Sequence, residues 1–281
     1  MRDDASWRTK RAFALRTVPF LITLILLAPA ACSATSHRNA APLASSPARE
    51  TTPATAGELT TAFSPMPVVS RTIGHSVEGR PLRVLQVGHG PRKVLWIGGI
   101  HGDEPQGTVA TDSLATAFNQ ADLQNRVTLT ILEDDNPDGR ALHTRDNANH
   151  VDLNRNFPAR NFDNTNPEYG RTPLSQPESR ALYDLIQRGS PSLVISCHAS
   201  RGHEFINYDG PGKALAARFS NLSGFPVEAS NALGFGTPGS LGSLVGIDRG
   251  TPILTIEFLR DSSPTDDWNV IRQAALSVIG S

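Results

Sequence analysis

The sequence predicts an α/β fold: a single domain over residues 66–281, built on a mixed, largely parallel β-sheet flanked by helices. Three observations lead there. Short apolar runs at 93–98 (KVLWIG), 127–132 (VTLTIL), 193–197 (LVISC) and 253–258 (ILTIEF) alternate with longer stretches of helical periodicity. The chain has 281 residues, of which the first 65 do not read as globular, so what remains suits one sizeable core rather than two. The 23 glycines and 21 prolines, with only 19% charged residues, fit a loop-rich enzyme better than a helical bundle.

The elements follow in order. Residues 70–88 read as a β-hairpin, because two strand-like stretches flank the turn signal Glu78-Gly79-Arg80-Pro81. The run 93–98 ends in Gly98-Gly99 and a loop, then a helix starting near Pro105, where proline is favourable at a first helical position. The strand 127–132 runs out into Asp134-Asp135-Asn136-Pro137. Residues 178–187 read as a helix with Ala181, Leu182, Leu185 and Ile186 on its apolar face. The strand 193–197 leads to His198; 214–222 is helical, 253–258 is a strand and 268–279 is a closing helix.

The N-terminus reads as a processing segment. Arg8, Lys10, Arg11 and Arg16 precede an apolar run at 18–27 and then Ala28-Pro29-Ala30-Ala31-Cys32. This is the layout of a secretory signal peptide over 1–32. The small residues before Cys32 resemble a bacterial lipobox, with Pro29 where the usual leucine stands; ordinary cleavage after Ala30 or Ala31 is the alternative. Residues 33–65, rich in Ala, Ser, Thr and Pro, read as a disordered linker. The expected location is the cell envelope, lipid-anchored through Cys32 or otherwise periplasmic or extracellular, with no membrane contact beyond the leader or its lipid. A net charge of −1 with no basic stripe gives no reason to expect nucleic acid. The second cysteine, Cys197, has no partner within the domain and reads as a small buried residue.

Polar groups gather where the predicted strands end. His101 follows one, Asn136 another and His198 a third, while Glu257 lies near the end of a fourth. Ligands in open α/β sheets collect at that carboxyl edge. A catalytic zinc site takes three protein ligands plus a water. His101 and Glu104, three apart on a loop entering a helix, can face one cation; His75 and Glu78 have the same spacing but fall in the hairpin turn. His198 supplies a third ligand from a distant strand. His143, His150 and His203 lie on loops and read as solvated or hydrogen-bonded, and Cys197 points to the opposite face from its neighbour His198. Glu257, a carboxylate inside an apolar strand, points to function, because burying it without purpose costs several kcal/mol (about 2–7 even for a neutral polar group).

In order along the chain stand His101-Gly102-Asp103-Glu104, Asn136-Pro137-Asp138-Gly139, Val151-Asp152-Leu153-Asn154-Arg155-Asn156-Phe157-Pro158, Ser196-Cys197-His198-Ala199 and Thr255-Ile256-Glu257-Phe258. Together they resemble the zinc carboxypeptidase family, from about Ser70 to Asp261, and within it the bacterial murein peptide amidases. The resemblance implies the zinc carboxypeptidase-like fold. It also implies one zinc ion on His101, Glu104 and His198, with Asp152 orienting the first histidine. Glu257 would be the general base and Arg145 the cation stabilising the oxyanion, with Arg140 its nearby rival. Asn154 and Arg155 would grip the substrate's terminal carboxylate.

The substrate implied is a cell-wall-derived peptide, cleaved at a γ-D-glutamyl–diaminopimelate bond. Other members carry a capping tyrosine before the catalytic glutamate; residues 236–245 contain none and read as a mobile loop near the pocket. A metallo-deacylase of the succinylglutamate desuccinylase or aspartoacylase type, and a non-catalytic cell-wall-binding lipoprotein, are the alternatives.

Overall fold

A computed structural model describes residues 66–229 and 237–281. The leader 1–32 and the linker 33–65 lie outside the described residues. Eight strands form one sheet in the order β1-β2-β4-β3-β5-β8-β6-β7. They are β1 (Val69–His75), β2 (Pro81–Val87), β3 (Arg92–Ile97), β4 (Val127–Leu132), β5 (Leu193–Ser200), β6 (Phe205–Asp209), β7 (Val227–Ala229) and β8 (Ile253–Leu259). The centre, β4-β3-β5-β8, is parallel; β1 and β2 are antiparallel additions at one edge, and β6 runs antiparallel to β8 at the other. The sheet is therefore mixed and largely parallel at its core, as the alternation of runs predicts.

Helices cover both faces. On one, α1 (Gln106–Gln120), α4 (Lys213–Ser223) and α5 (Pro264–Ile279) bring Leu114, Phe118, Phe219, Trp268 and Ile271 against Trp96, Ile195 and Ile256. On the other, α3 (Pro177–Gly189) sets Leu182, Leu185 and Ile186 against Leu95, Ile97 and Val194, with Leu153 and Phe157 completing the cluster. The short helix α2 (Pro137–Leu142) follows β4. Parallel neighbours need long crossovers, and α1 and α3 supply them. The connection after β3 leads through α1 to β4, whereas β5 lies on β3's other side. That reversal opens a crevice at the carboxyl ends of β3 and β5.

Two expectations change, and two strands are added. His198 lies within β5 rather than beyond it, because β5 continues to Ser200 in register with β8. Strands β6 and β7 give no sequence signal, being short and carrying polar residues at Asn207, Asp209 and Glu228. The stretch 237–245 is not a mobile loop (Gly236 lies outside the described residues). It enters a π-helical segment, Gly242–Asp248, whose Leu244 and Val245 join the core with Leu241. Its glycines serve close packing: a Cβ on Gly242 would stand 2.3 Å from Asp209 Oδ2, and one on Gly239, at φ +66°, 2.1 Å from the Arg155 carbonyl. Among the described residues no helix is long and apolar enough to cross a membrane.

Candidate metal centre

The loop after β3 turns into α1 and carries His101 and Glu104; β5 carries His198 from the neighbouring strand. Their inward atoms form a nearly equilateral triangle. His101 Nδ1 is 3.0 Å from Glu104 Oε2, His198 Nδ1 is 3.2 Å from the same oxygen, and the two Nδ1 atoms are 3.1 Å apart. A tetrahedral ion with bonds of about 2.0–2.1 Å separates its ligand atoms by about 3.3 Å, so the triangle fits a zinc ion. Among the described residues this is the one group of His, Cys, Asp and Glu side chains so arranged, and all three are buried.

The donor chemistry agrees. His101 directs Nε2 outward to Asp152 Oδ1 at 3.2 Å, and His198 directs Nε2 to the Ser196 hydroxyl at 3.1 Å. With each Nε2 directed to an outer partner, both Nδ1 atoms are left to offer a lone pair to a cation between them. An outer partner of this kind fixes the ring's orientation and raises its basicity as a metal ligand. Burial disfavours charge on His101, but Glu104 and Asp152 outweigh it and hold the imidazole up at about 9. Burial would raise Glu104; the His101 charge and the bonds to both imidazoles instead hold it well below its usual value. His198 is pushed down, chiefly by burial.

The other predicted residues converge on this triangle. Glu257 pairs in register with His198 on adjacent parallel strands, so both side chains rise from the same face with their backbones about 4.8 Å apart. Burial, reinforced by the Glu104 charge, raises the Glu257 carboxyl to about 8. Asn136 Oδ1 accepts from Gly139 N at 2.9 Å, capping α2, and its amide donates to the Arg145 carbonyl at 3.1 Å, fixing the loop that bears Arg145. Arg145 donates through Nε to Asp152 Oδ2 at 3.0 Å and reaches Glu104 Oε1 at 3.3 Å, which leaves its head group beside the triangle. Arg140 is engaged elsewhere, with Asp134 at 2.7 Å and Thr108 Oγ1 at 2.7 Å. Asn154 lies with Nδ2 3.4 Å from His198 Nε2, its orientation set by Leu241 N donating to Oδ1 at 2.9 Å. Arg155 donates to the Asn154 carbonyl at 2.8 Å and stacks over Tyr169.

Residues expected to stay outside do so. Cys197 faces the other side of the sheet in the core, and its thiol is pushed well up by burial. His143, His150 and His203 are exposed. Two neighbours have roles the sequence does not assign: Ser196 is the outer partner of His198, and Arg260, by its place three residues after Glu257 a candidate ion-pair partner for it, donates instead to Glu104 Oε1 at 3.0 Å. Ser196 stands two residues before His198, the strand period that puts both on one face, and that spacing could have revealed it.

A family model described as zinc carboxypeptidase matches residues 60–276. Murein peptide amidase A of Escherichia coli (strain K12) is 33% identical over 202 residues, covering 66% of this chain and 79% of that protein. The protein of the same description from Vibrio campbellii is 30% identical over 208 residues, 68% and 79% of the two chains. The crystal structure of murein-tripeptide amidase from Escherichia coli O157 superposes with a TM-score of 0.60 at 28% identity, over 78% of this chain and 94% of that one. With the His-Glu-His triangle in the described residues, these matches show that the chain belongs to the zinc carboxypeptidase family and is a zinc-dependent hydrolase.

Proposed function

We propose that this enzyme is an exported carboxypeptidase-type amidase. In this reading it uses one zinc ion to hydrolyse an amide bond near a free carboxylate in cell-wall peptides, at a γ-D-glutamyl–diaminopimelate linkage. The likeness to proteins described as murein peptide amidases supports the substrate class. The cationic and apolar leader ending at Cys32 supports export, with lipid attachment at that cysteine. That segment lies outside the described residues, and globomycin-sensitive processing tests it.

His101, Glu104 and His198 hold the ion, and Asp152 fixes the His101 tautomer. A zinc ion so held brings the pKa of water toward about 7 and polarises an amide carbonyl. Glu257 takes the proton of the attacking water and delivers it to the leaving amine. Arg145 turns its exposed edge to the developing oxyanion, a contribution of about 3 kcal/mol for one such donor. Asn154 and Arg155 receive the substrate carboxylate, Arg155 with its planar fork backed by Tyr169.

The observation that carries this reading is a carboxylate held in register beside a buried His-Glu-His triangle. Incubation of zinc-loaded enzyme with murein tripeptide, followed by mass analysis, is expected to release diaminopimelate. Absence of release rejects this substrate. Release from N-acyl amino acids instead identifies the deacylase alternative.

A further inference from the structure

Glu257 and the zinc ligands come from separate segments, and their relative position decides whether a base can serve the ion. One side chain spans the two. β8 ends at Leu259, and the next residue, Arg260, donates its backbone N–H to the Ser200 carbonyl at the end of β5 at 2.8 Å. Its guanidinium then reaches the loop after β3. One amino group donates to Asp103 Oδ2 and the other to Glu104 Oε1 at 3.0 Å. From the opposite direction, Gln106 at the start of α1 donates Nε2 to the carbonyls of Leu259, at 3.3 Å, and Arg260. The Arg260 side chain is 18% exposed and that of Asp103 23%, so the pair is largely desolvated, where charge-assisted bonds are strongest.

Glu104 has two oxygens with different duties. Oε2 meets both imidazoles and accepts from Ala199 N at 3.0 Å; Oε1 faces away, toward Arg260 and, at 3.3 Å, Arg145. Arg145 lies 40% exposed on a separate loop and is the group proposed to turn toward substrate. Arg260 is anchored by backbone to the strand pair that bears His198 and Glu257. It is therefore the cation suited to hold Oε1 while Arg145 is engaged elsewhere.

We infer that Arg260 is a positioning residue. Together with Asp103, it fixes which oxygen of Glu104 faces the metal and locks the strand of Glu257 to the ligand loop. The inference rests on the zinc hydrolase reading, but its first readout does not depend on the substrate. Zinc affinity, measured by chelator competition, is expected to fall about 10- to 100-fold in Arg260→Met, the range for loss of an outer partner of a metal ligand. In zinc-saturated Arg260→Met, kcat on murein tripeptide is expected to fall at least about tenfold while KM stays within about threefold. Arg260→Lys, able to meet one carboxylate but not both in a fork, is expected to recover part of each loss.

Asp103→Asn leaves the Glu104 contact and is expected to show a smaller change in the same direction; it decides the matter if Arg260→Met does not fold. Zinc affinity and kcat both within twofold of the parent overturn the proposal. So does a raised KM with kcat intact, which would make Arg260 a substrate contact, or a lowered melting temperature alone, which would make it a structural tie. If the parent binds zinc but leaves murein tripeptide intact, the substrate assignment fails while the zinc arm still decides the role of Arg260.

Discussion

His75–Glu78 and His101–Glu104 have the same spacing, yet only the second pair belongs to a metal centre. The first occupies the hairpin turn at the sheet's edge. There Ser76 Oγ donates to Asp138 at 2.7 Å, the Val77 and Glu78 amides donate to Glu178 and Asp138, and Glu78 itself pairs with Arg80. The acids at this turn are spent on its own backbone, Ser76 and Arg80, and His75 stays exposed. The second pair sits where β3 meets the crevice, with β5 offering His198 and Asp152 fixing the ring of His101. A His-x-x-Glu spacing supplies two donors; a third donor and outer partners, contributed by the fold, make them a site.

The sharpest break of this comparison is removal of one histidine from each pair. His101→Ala is expected to lose stoichiometric zinc and all measurable hydrolysis, whereas His75→Ala should keep both within about twofold, as surface changes do. Metal analysis of the dialysed proteins checks this. Next comes Glu257→Gln, which should retain zinc but lower kcat by about 10²- to 10⁴-fold, the range for loss of a general base. Intact activity in that variant would move the base elsewhere or favour a binding protein on this scaffold.

The smallest effect is in stability. Glu257 is raised to about 8 in the folded protein, so the folded state binds the extra proton between the ordinary carboxylate range and that value. Its contribution is fully present below the unfolded pKa and is lost as pH rises through 8. In chelator-treated protein, Glu257→Gln should therefore flatten the decline in unfolding free energy between about pH 5 and 8, as measured by urea titration.

Much of the domain was legible because its signals are local. The central runs 93–98, 127–132 and 253–258 are predominantly apolar, as strands covered on both faces are, and they coincide with β3, β4 and β8 to within a residue. The ligands were legible because each ends or closely follows such a run. What the sequence hid depends on tertiary contact. Arg260, three residues after Glu257, reads as an ion-pair partner for that carboxylate, and only the crossing of the β3 loop over the end of β8 reveals its two acids, Asp103 and Glu104. The segment from Thr237 reads as a loop because of its glycines, although those glycines allow it to press on Asp209 and Arg155. Strand β7, three residues long, pairs only with the short β6, and neither carries a periodic signal long enough to detect.

Cys197 lies in the core beside its neighbour His198, with α1 closing over it at Gly107. No alkylating reagent can reach that sulfur while β5 and α1 stay together. Modification at this one position therefore counts openings of the very strand that holds the third ligand. The molecule carries a built-in clock for the lifetime of its own active centre, and occupancy of that centre should slow it.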